Sequence, residues 1–305
     1  VGLVVIDEQH RFGVAHRSKI INKGLTPDVL IMTATPIPRT LTMTVYGDLD
    51  LSLIKEMPKN RIPIKTVLRS ESSLAEIYKF IIDKNKLGYQ TYIVFPLVEE
   101  SEKMDLKDAV SQFEDLVNKY PSVKFGLLHG KMKEDEKDET MERFRKNEIQ
   151  VLVSTTVIEV GVDVPNANMI IIEHTERFGL SQLHQLRGRV GRGKHKSYCV
   201  LMLGYAVSEE SKHRAEVMAS TNDGFEIANE DLKLRGAGEI LGTRQSGLAG
   251  FKLANLITDT EILMKAREAA FEIFKRDPLL KLAEHQALRA ALIEAHGPTA
   301  LAGVG

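Results

Sequence analysis

Val151-Leu152-Val153-Ser154, Met169-Ile170-Ile171-Ile172-Glu173 and Ser197-Tyr198-Cys199-Val200-Leu201-Met202-Leu203 are three short apolar runs. Between the last two lies Leu180-Ser181-Gln182-Leu183-His184-Gln185-Leu186-Arg187-Gly188-Arg189, with leucines at helical spacing. Apolar runs without polar alternation read as strands buried on both faces, which is how parallel sheets are covered. Strands alternating with helices imply βαβ units. Working outward, the same alternation continues upstream. Residues 72–87 have helical periodicity and stop at Gly88, and 91–95 are a strand. Residues 106–120 are a helix ended by Pro121, 123–128 a strand, and 134–146 a highly charged helix.

Before this unit lies a shorter one. Residues 1–6 and 29–33 are apolar strands, 16–22 and 40–46 helical, and 49–54 another short strand. The polar stretch 58–63, broken by Pro58 and Pro63, reads as a linker. A fully apolar strand at the first residue needs neighbours on both edges. We therefore expect that the chain is a fragment and that its first domain is partial. After Gly204, residues 209–220, 259–275 and 279–295 are helical, 223–250 is rich in Gly, Arg and polar residues, and 297–305 is a loose tail.

Composition narrows the class. The chain has 305 residues, 43% hydrophobic and 27% charged, with a formal net charge of −1, so it is not intrinsically disordered. Cys199 is the only cysteine, which excludes an internal disulfide and fits a reducing compartment. No apolar stretch approaches the ~18 residues that span a bilayer. Near-neutrality does not exclude nucleic acid, because charge can be local. Residues 187–196 hold three arginines, two lysines and a histidine with no acid.

Candidate chemistry sits at the strand ends, where α/β sheets present ligands. Asp7-Glu8-Gln9-His10 follows the first strand. Such a pair suits a nucleotide hydrolase, the Asp holding Mg²⁺ through water and the Glu orienting the attacking water. Alone, it is an ordinary charged loop. Thr33-Ala34-Thr35-Pro36 follows the second strand; its hydroxyls can bridge two sites, and alone it is a turn. Ser154-Thr155-Thr156, with Glu159, Gly161 and Asp163, suits phosphate contacts or a helix cap. In Gln185-Leu186-Arg187-Gly188-Arg189-Val190-Gly191-Arg192-Gly193, Arg189 and Arg192 are three apart and can face one side. Paired guanidinium groups clamp a γ-phosphate. A solvated surface helix gains nothing from three glycines in six residues. Gly188–Lys194 mimics a phosphate loop, but His195 replaces the hydroxyl and no strand precedes it, so there is no phosphate loop here.

In order and register, the Asp7–His10, Thr33–Thr35, 151–163 and Gln185–Arg192 segments resemble motifs II, III, V and VI of superfamily 2 helicases. Within that superfamily, residues 7–14, 32–40, 96–102 and 128–132 are similar to the RecG family of bacterial branched-DNA helicases. So is 231–247, which contains Arg235, Gly236, Gly238, Arg244 and Gln245 and resembles a translocation motif shared with transcription-repair coupling factors. The resemblance covers residue 1 to about 295. The family's wedge domain and phosphate loop have no counterpart here.

The resemblance implies an α/β fold with one partial RecA-like parallel sheet (1–60), one complete (61–206), and a mostly helical region with the translocation element (207–305). It implies ATP between the RecA-like domains, with Asp7 (Mg²⁺, via water), Glu8, Arg189 and Arg192 catalytic. Gln9, His10, Thr33, Thr35, Gly161, Asp163 and Gln185 would bind ATP or couple it. Thr155, Thr156, Arg235, Gly236, Gly238, Arg244 and Gln245 would engage DNA. The partner would be branched double-stranded DNA, forks and Holliday junctions, and the setting a monomer in the bacterial cytoplasm with the nucleoid, not a membrane. Two other readings are a coupling-factor translocase that displaces stalled polymerase, and a non-catalytic DNA-binding module. His10 and the 46–54 and 96–102 segments favour the RecG resemblance over the coupling factor, as does the absence of a further carboxyl-terminal domain. A chain without a phosphate loop is expected to hydrolyse ATP poorly by itself.

Overall fold

The computed structural model describes residues 2–7, 27–33, 52, 54, 56, 61–96, 102–155, 163–205, 207–235 and 259–296. The expected helices at 16–22 and 40–46 lie outside these residues. Of the strand expected at 49–54, only residues 52 and 54 are described, and neither is in a strand.

Six strands form one parallel sheet: β3 (Lys65–Ser70), β4 (Gln90–Val94), β5 (Phe125–Leu128), β6 (Val151–Ser154), β7 (Ala167–Ile172) and β8 (Tyr198–Leu203), in the order β3-β8-β7-β4-β6-β5. The central strands β4, β6 and β7 are buried along their whole length because both faces are covered. Tyr92, Val94, Leu152, Ile170, Ile172, Cys199 and Leu201 fill one core, with α3 (Glu134–Arg145), α4 (Leu180–Arg187), α5 (Glu209–Ser220) and α6 (Gly224–Arg235). Ile93, Phe95, Val151, Val153, Met169, Ile171, Val200 and Met202 fill the other, with α1 (Leu74–Asn85) and α2 (Glu102–Lys119). Successive side chains of each strand point to opposite layers, so one apolar run serves both. Burial of this kind contributes ~25 cal/mol per Å² of apolar surface.

The expected helix stop at Gly88 is present. Its φ of +84° is one that a glycine adopts freely, and its amide closes α1 on the Asn85 carbonyl at 2.9 Å. Gln90 starts β4 buried, and its Nε2 donates to the carbonyls of Phe144 (2.5 Å) and Ile149 (2.7 Å). The Phe144 carbonyl lies in the last turn of α3 and that of Ile149 in the loop after it, so this one side chain joins strand, helix and loop.

A second, two-stranded parallel sheet pairs β1 (Leu3–Ile6) with β2 (Asp28–Ile31). Val4 and Ile6 are buried, but Leu3 and Val5 are 60% and 52% exposed. Burial on both faces is expected from the apolar run and is seen on one.

Two differences concern the helical region. Within the stretch 223–250, rich in Gly, Arg and polar residues, 224–235 form α6, whose Ile227, Ala228 and Leu232 are buried. Asp223 Oδ1 accepts the Phe225 amide at 2.8 Å and so starts this helix, a side-chain cap that overrides the glycine. The helix expected at 279–295 starts later, as α8 (Gln286–His296) after a 3₁₀ turn at Ala283–His285. Asp277 holds the intervening loop. Its carboxylate accepts the amides of Lys281 and Leu282, both at 2.8 Å, and faces His285 Nδ1 at 2.9 Å. Together with α7 (Thr260–Arg276), α8 belongs to a compact unit distinct from the one that holds both sheets.

Candidate functional site

Parallel pairing of β1 and β2 puts their carboxyl ends side by side, the Met32 amide donating to Ile6 O at 2.8 Å. Asp7 and Thr33 therefore emerge from adjacent strands at one edge, both exposed. That geometry suits a carboxylate that holds a hydrated cation and a hydroxyl that senses it. Glu8, Gln9, His10 and Thr35 lie outside the described residues, as do Thr156, Gly161, Gly236, Gly238, Arg244 and Gln245. Arg235 is the last residue of α6.

The larger sheet carries a second cluster. α4 ends at Arg187, and the chain turns through Gly188 and on to Gly193. Val190 is fully buried and anchors the turn in the core, so Arg189 and Arg192 flank it outward. Gly191 has φ +79°, and a Cβ there would lie 2.9 Å from Ile64 Cγ1. At Gly193 a Cβ would meet the Pro165 carbonyl oxygen at 2.5 Å. Gly191 lets the turn lie against Ile64, and Gly193 lets it lie against Pro165. Arg192 Nη1 consequently reaches Asp163 Oδ1 at 3.8 Å, a loose, solvent-exposed pair. Arg189, Arg192 and Asp163 all act on the hydroxyl of the buried Tyr92. Burial pushes that phenol well above its ordinary range, and the two arginines pull against it. Asp163 and Arg192, remote in sequence, thus lie together, with Arg189 on the same turn as Arg192. Gln185 lies on α4 one turn before the arginines and is half-buried.

Thr155 follows β6 and is fully buried. Its amide donates to Leu128 O at 3.1 Å, and its hydroxyl has no hydrogen-bond partner among the described residues. At the same carboxyl edge, Phe95, Pro96, Ser111, Gln112, Asp115, His174 and Arg177 line a cleft of about 330 Å³. His174 lines it from a left-handed backbone, φ 49° and ψ 51°, a sparsely populated conformation for a residue with a side chain.

Sequence reasoning missed three groups. Arg187, counted only within a basic strip, is 2% exposed. Its Nη1 donates to Met218 O (2.8 Å) and Thr221 O (2.7 Å). Its Nη2 faces His184 Nδ1 at 3.3 Å, and burial first, with Arg187 second, drops that imidazole to about 4, so it is neutral near pH 7. Tyr92 read as one more strand aromatic. Glu173 read as the polar end of a strand. It is 7% exposed, and its carboxyl is pushed up to about 7 by burial, then by Glu71 and Glu176. Only an apolar-flanked charge hinted at any of these.

The fold is that of a helicase core domain, and the profile of the helicase conserved C-terminal domain matches residues 72–194. Another RecA-like relation is structural only: a helicase named MrfA bound to DNA aligns with a TM-score of 0.51 over 76% of this chain and 35% of that one, at 17% identity.

The chain belongs to the RecG family. The profile of ATP-dependent DNA helicase RecG, domain 3, C-terminal, matches residues 221–298. RecG of a Synechocystis strain is 52% identical over 96% of this chain and 35% of its own length. Bacillus subtilis RecG is 48% identical over 96% and 43%. The structure of a RecG bound to a three-way DNA junction aligns with a TM-score of 0.67 at 46% identity, over 86% of this chain and 33% of that one. The chain thus spans about a third to two-fifths of its relatives' length. Among the described residues no helix is long and apolar enough to cross a membrane.

Proposed function

We propose that this chain is the motor part of an ATP-driven translocase on branched double-stranded DNA, acting in fork regression and Holliday-junction migration. The observation that carries this reading is the approach of Arg192 to Asp163 at 3.8 Å, on a turn that also carries Arg189. Two guanidinium groups on one turn suit the charge of a nucleotide γ-phosphate. Similarity to junction-binding RecG supports the choice of DNA.

In this reading Arg189 and Arg192 stabilise charge on the transferring phosphoryl group, positioned by Gln185, with Gly161 and Asp163 completing that side. Asp7 holds Mg²⁺ through water, and its exposed place at a strand end fits such a role. Held there, the ion would supply neutralisation of phosphate charge. Glu8 orients the attacking water, while Gln9, His10, Thr33 and Thr35 couple the site to movement. Thr155 and Thr156 meet the DNA backbone, Thr155 with a hydroxyl left without a partner among the described residues. Arg235, Gly236, Gly238, Arg244 and Gln245 convert domain closure into travel along the duplex. Hydrolysis removes the γ-phosphate and shifts an open–closed equilibrium by the differential strength of binding to ATP and ADP. The domain division is 1–60, 61–206 and 207–305, with α5 and α6 packed on the second sheet's core. The protein works as a monomer in the bacterial cytoplasm.

The test uses a protein of the relatives' length that carries this chain. Arg235→Ala should leave DNA-stimulated ATP hydrolysis in place and abolish fork unwinding. Unwinding at the usual rate contradicts the assignment.

A further inference from the structure

The 194–196 loop has no part in the site above. From the Arg189–Arg192 turn, whose Val190 packs in one core layer, the chain passes the amino end of the sheet to begin β8. There the His195 ring meets the Tyr89 ring edge-on, centroids 5.1 Å apart. Tyr89 lies just after α1, which covers the opposite layer. Lys84 Nζ stands 5.9 Å from the Tyr89 centroid and 5.2 Å from that of Phe80. Phe80 packs edge-on against Tyr198 at 5.5 Å, and Tyr198 pairs with Lys65 in the β3–β8 ladder. A continuous path of neighbours therefore joins Lys65, Tyr198, Phe80, Lys84, Tyr89 and His195, and Lys194 and Lys196 flank the histidine.

We propose that this corner of the sheet is a second nucleic-acid surface, which grips the phosphate backbone of DNA. Lys65, Lys194, His195 and Lys196 are exposed, and Phe80 is 40% exposed. The nearby acid Asp83 pairs with Lys86 at 3.1 Å. A chain of net charge −1 has collected cations here, while acids dominate elsewhere, as at Glu134, Asp135 and Glu136. Local potential of this kind recruits polyanions regardless of total charge. Lysines near the end of α1 also complement the helix dipole, but that accounts for Lys84 and Lys86 and not for Lys65, Lys194 and Lys196. Rings set between the cations hold the lysines in place, Lys84 over Phe80 and Tyr89, so that the charges face a phosphate backbone from a fixed surface. Because the strands are parallel, this edge is separated from Thr155 by the length of the sheet, ~17 Å for five residues. The two surfaces can therefore hold different stretches of a branched substrate.

The experiment is equilibrium binding of the 305-residue chain to a fluorescent duplex and a three-way junction across a salt series, without nucleotide. Lys194→Glu/Lys196→Glu and Lys84→Glu are compared with the unaltered chain at equal thermal stability. Each DNA phosphate that the protein no longer neutralises flattens the slope of log K against log salt by about 0.9. The double variant should flatten it by about 2 and weaken binding at low salt by about tenfold or more. Unchanged slopes and affinities overturn the proposal. So does loss of binding only to anionic vesicles or acidic peptide with DNA binding intact, as does an unaltered chain that binds no DNA at low salt. Because no ATP is present, failure here is separable from failure of the motor reading.

Discussion

Arg187 Nη1 lies 2.7 Å from the carbonyl oxygen of Thr221, so a buried guanidinium at the end of α4 ties the Arg189–Arg192 turn to the end of α5. The bond to Met218 O and the approach to Thr66 Oγ1 at 3.5 Å extend the tie to β3. Carbonyl dipoles and a neutral imidazole surround the charge. Arg187→Met should keep much of the apolar volume but leave the carbonyls unpaired. Hydrogen bonds to a charged group contribute ~1.5–3 kcal/mol each, so we expect a loss of ~2–4 kcal/mol in urea unfolding. A change below ~0.5 kcal/mol would show that the clamp is dispensable.

Glu173 makes stability pH-dependent. Its folded carboxyl titrates near 7 against an ordinary 4.5, so between those values the folded state holds a proton that the unfolded state has released. Stability therefore falls as pH rises from about 4.5 to about 7 and levels off above that. The difference corresponds to ~3 kcal/mol at most. Glu173→Gln should remove that slope and be the more stable form at pH 8. Parallel melting curves for both proteins from pH 5 to 8 would contradict this.

Gly193→Ala tests the turn. A Cβ 2.5 Å from the Pro165 carbonyl oxygen meets backbone, which cannot rotate away. The 163–165 segment or the turn must shift, and with it the Asp163–Arg192 pair. We expect ATP turnover in the longer protein to fall at least tenfold, with far less change in melting temperature. Unchanged turnover would show that the close approach is incidental.

Asp277 governs the carboxyl-terminal helices. Burial works against its ionisation, but the amides of Leu282 and Lys281 and the His285 ring bring it down to about 2 from 3.8. Its stabilising effect is thus full above about pH 4 and lost as pH falls through about 2. Asp277→Ala should lower the unfolding temperature of α7 and α8 at pH 7 and remove this acid dependence. If the variant keeps the acid transition, another group carries it.

Much of the sheet could be read from sequence because its signal is local. Four to six consecutive apolar residues, such as Val151–Ser154, leave few alternatives to a buried strand. Gly88 and Pro121 mark helix ends by backbone geometry. What escaped depends on side chains that act at a distance. Asp223 caps a helix where composition suggests a loop, and Asp277 delays another, from residue 279 to Gln286. For the site, the arginine spacing predicted that Arg189 and Arg192 would lie together, while the arrival of Asp163 depends on the approach of Gly193 to Pro165, remote in sequence. The burial of Arg187 and Glu173 is barely legible, because apolar neighbours in sequence are the only hint that a charge carries of its surroundings.

The most direct test of the account is steady-state ATP hydrolysis, with and without a three-way junction, by a relatives-length protein carrying this chain and its Arg192→Ala variant. If Arg192 stabilises the transferring phosphoryl group, turnover falls ~10³-fold or more while junction binding persists. Turnover within a few-fold of the unaltered protein would contradict the assignment of Arg192 and, with it, the nucleotide site placed at the Asp163–Arg192 locality.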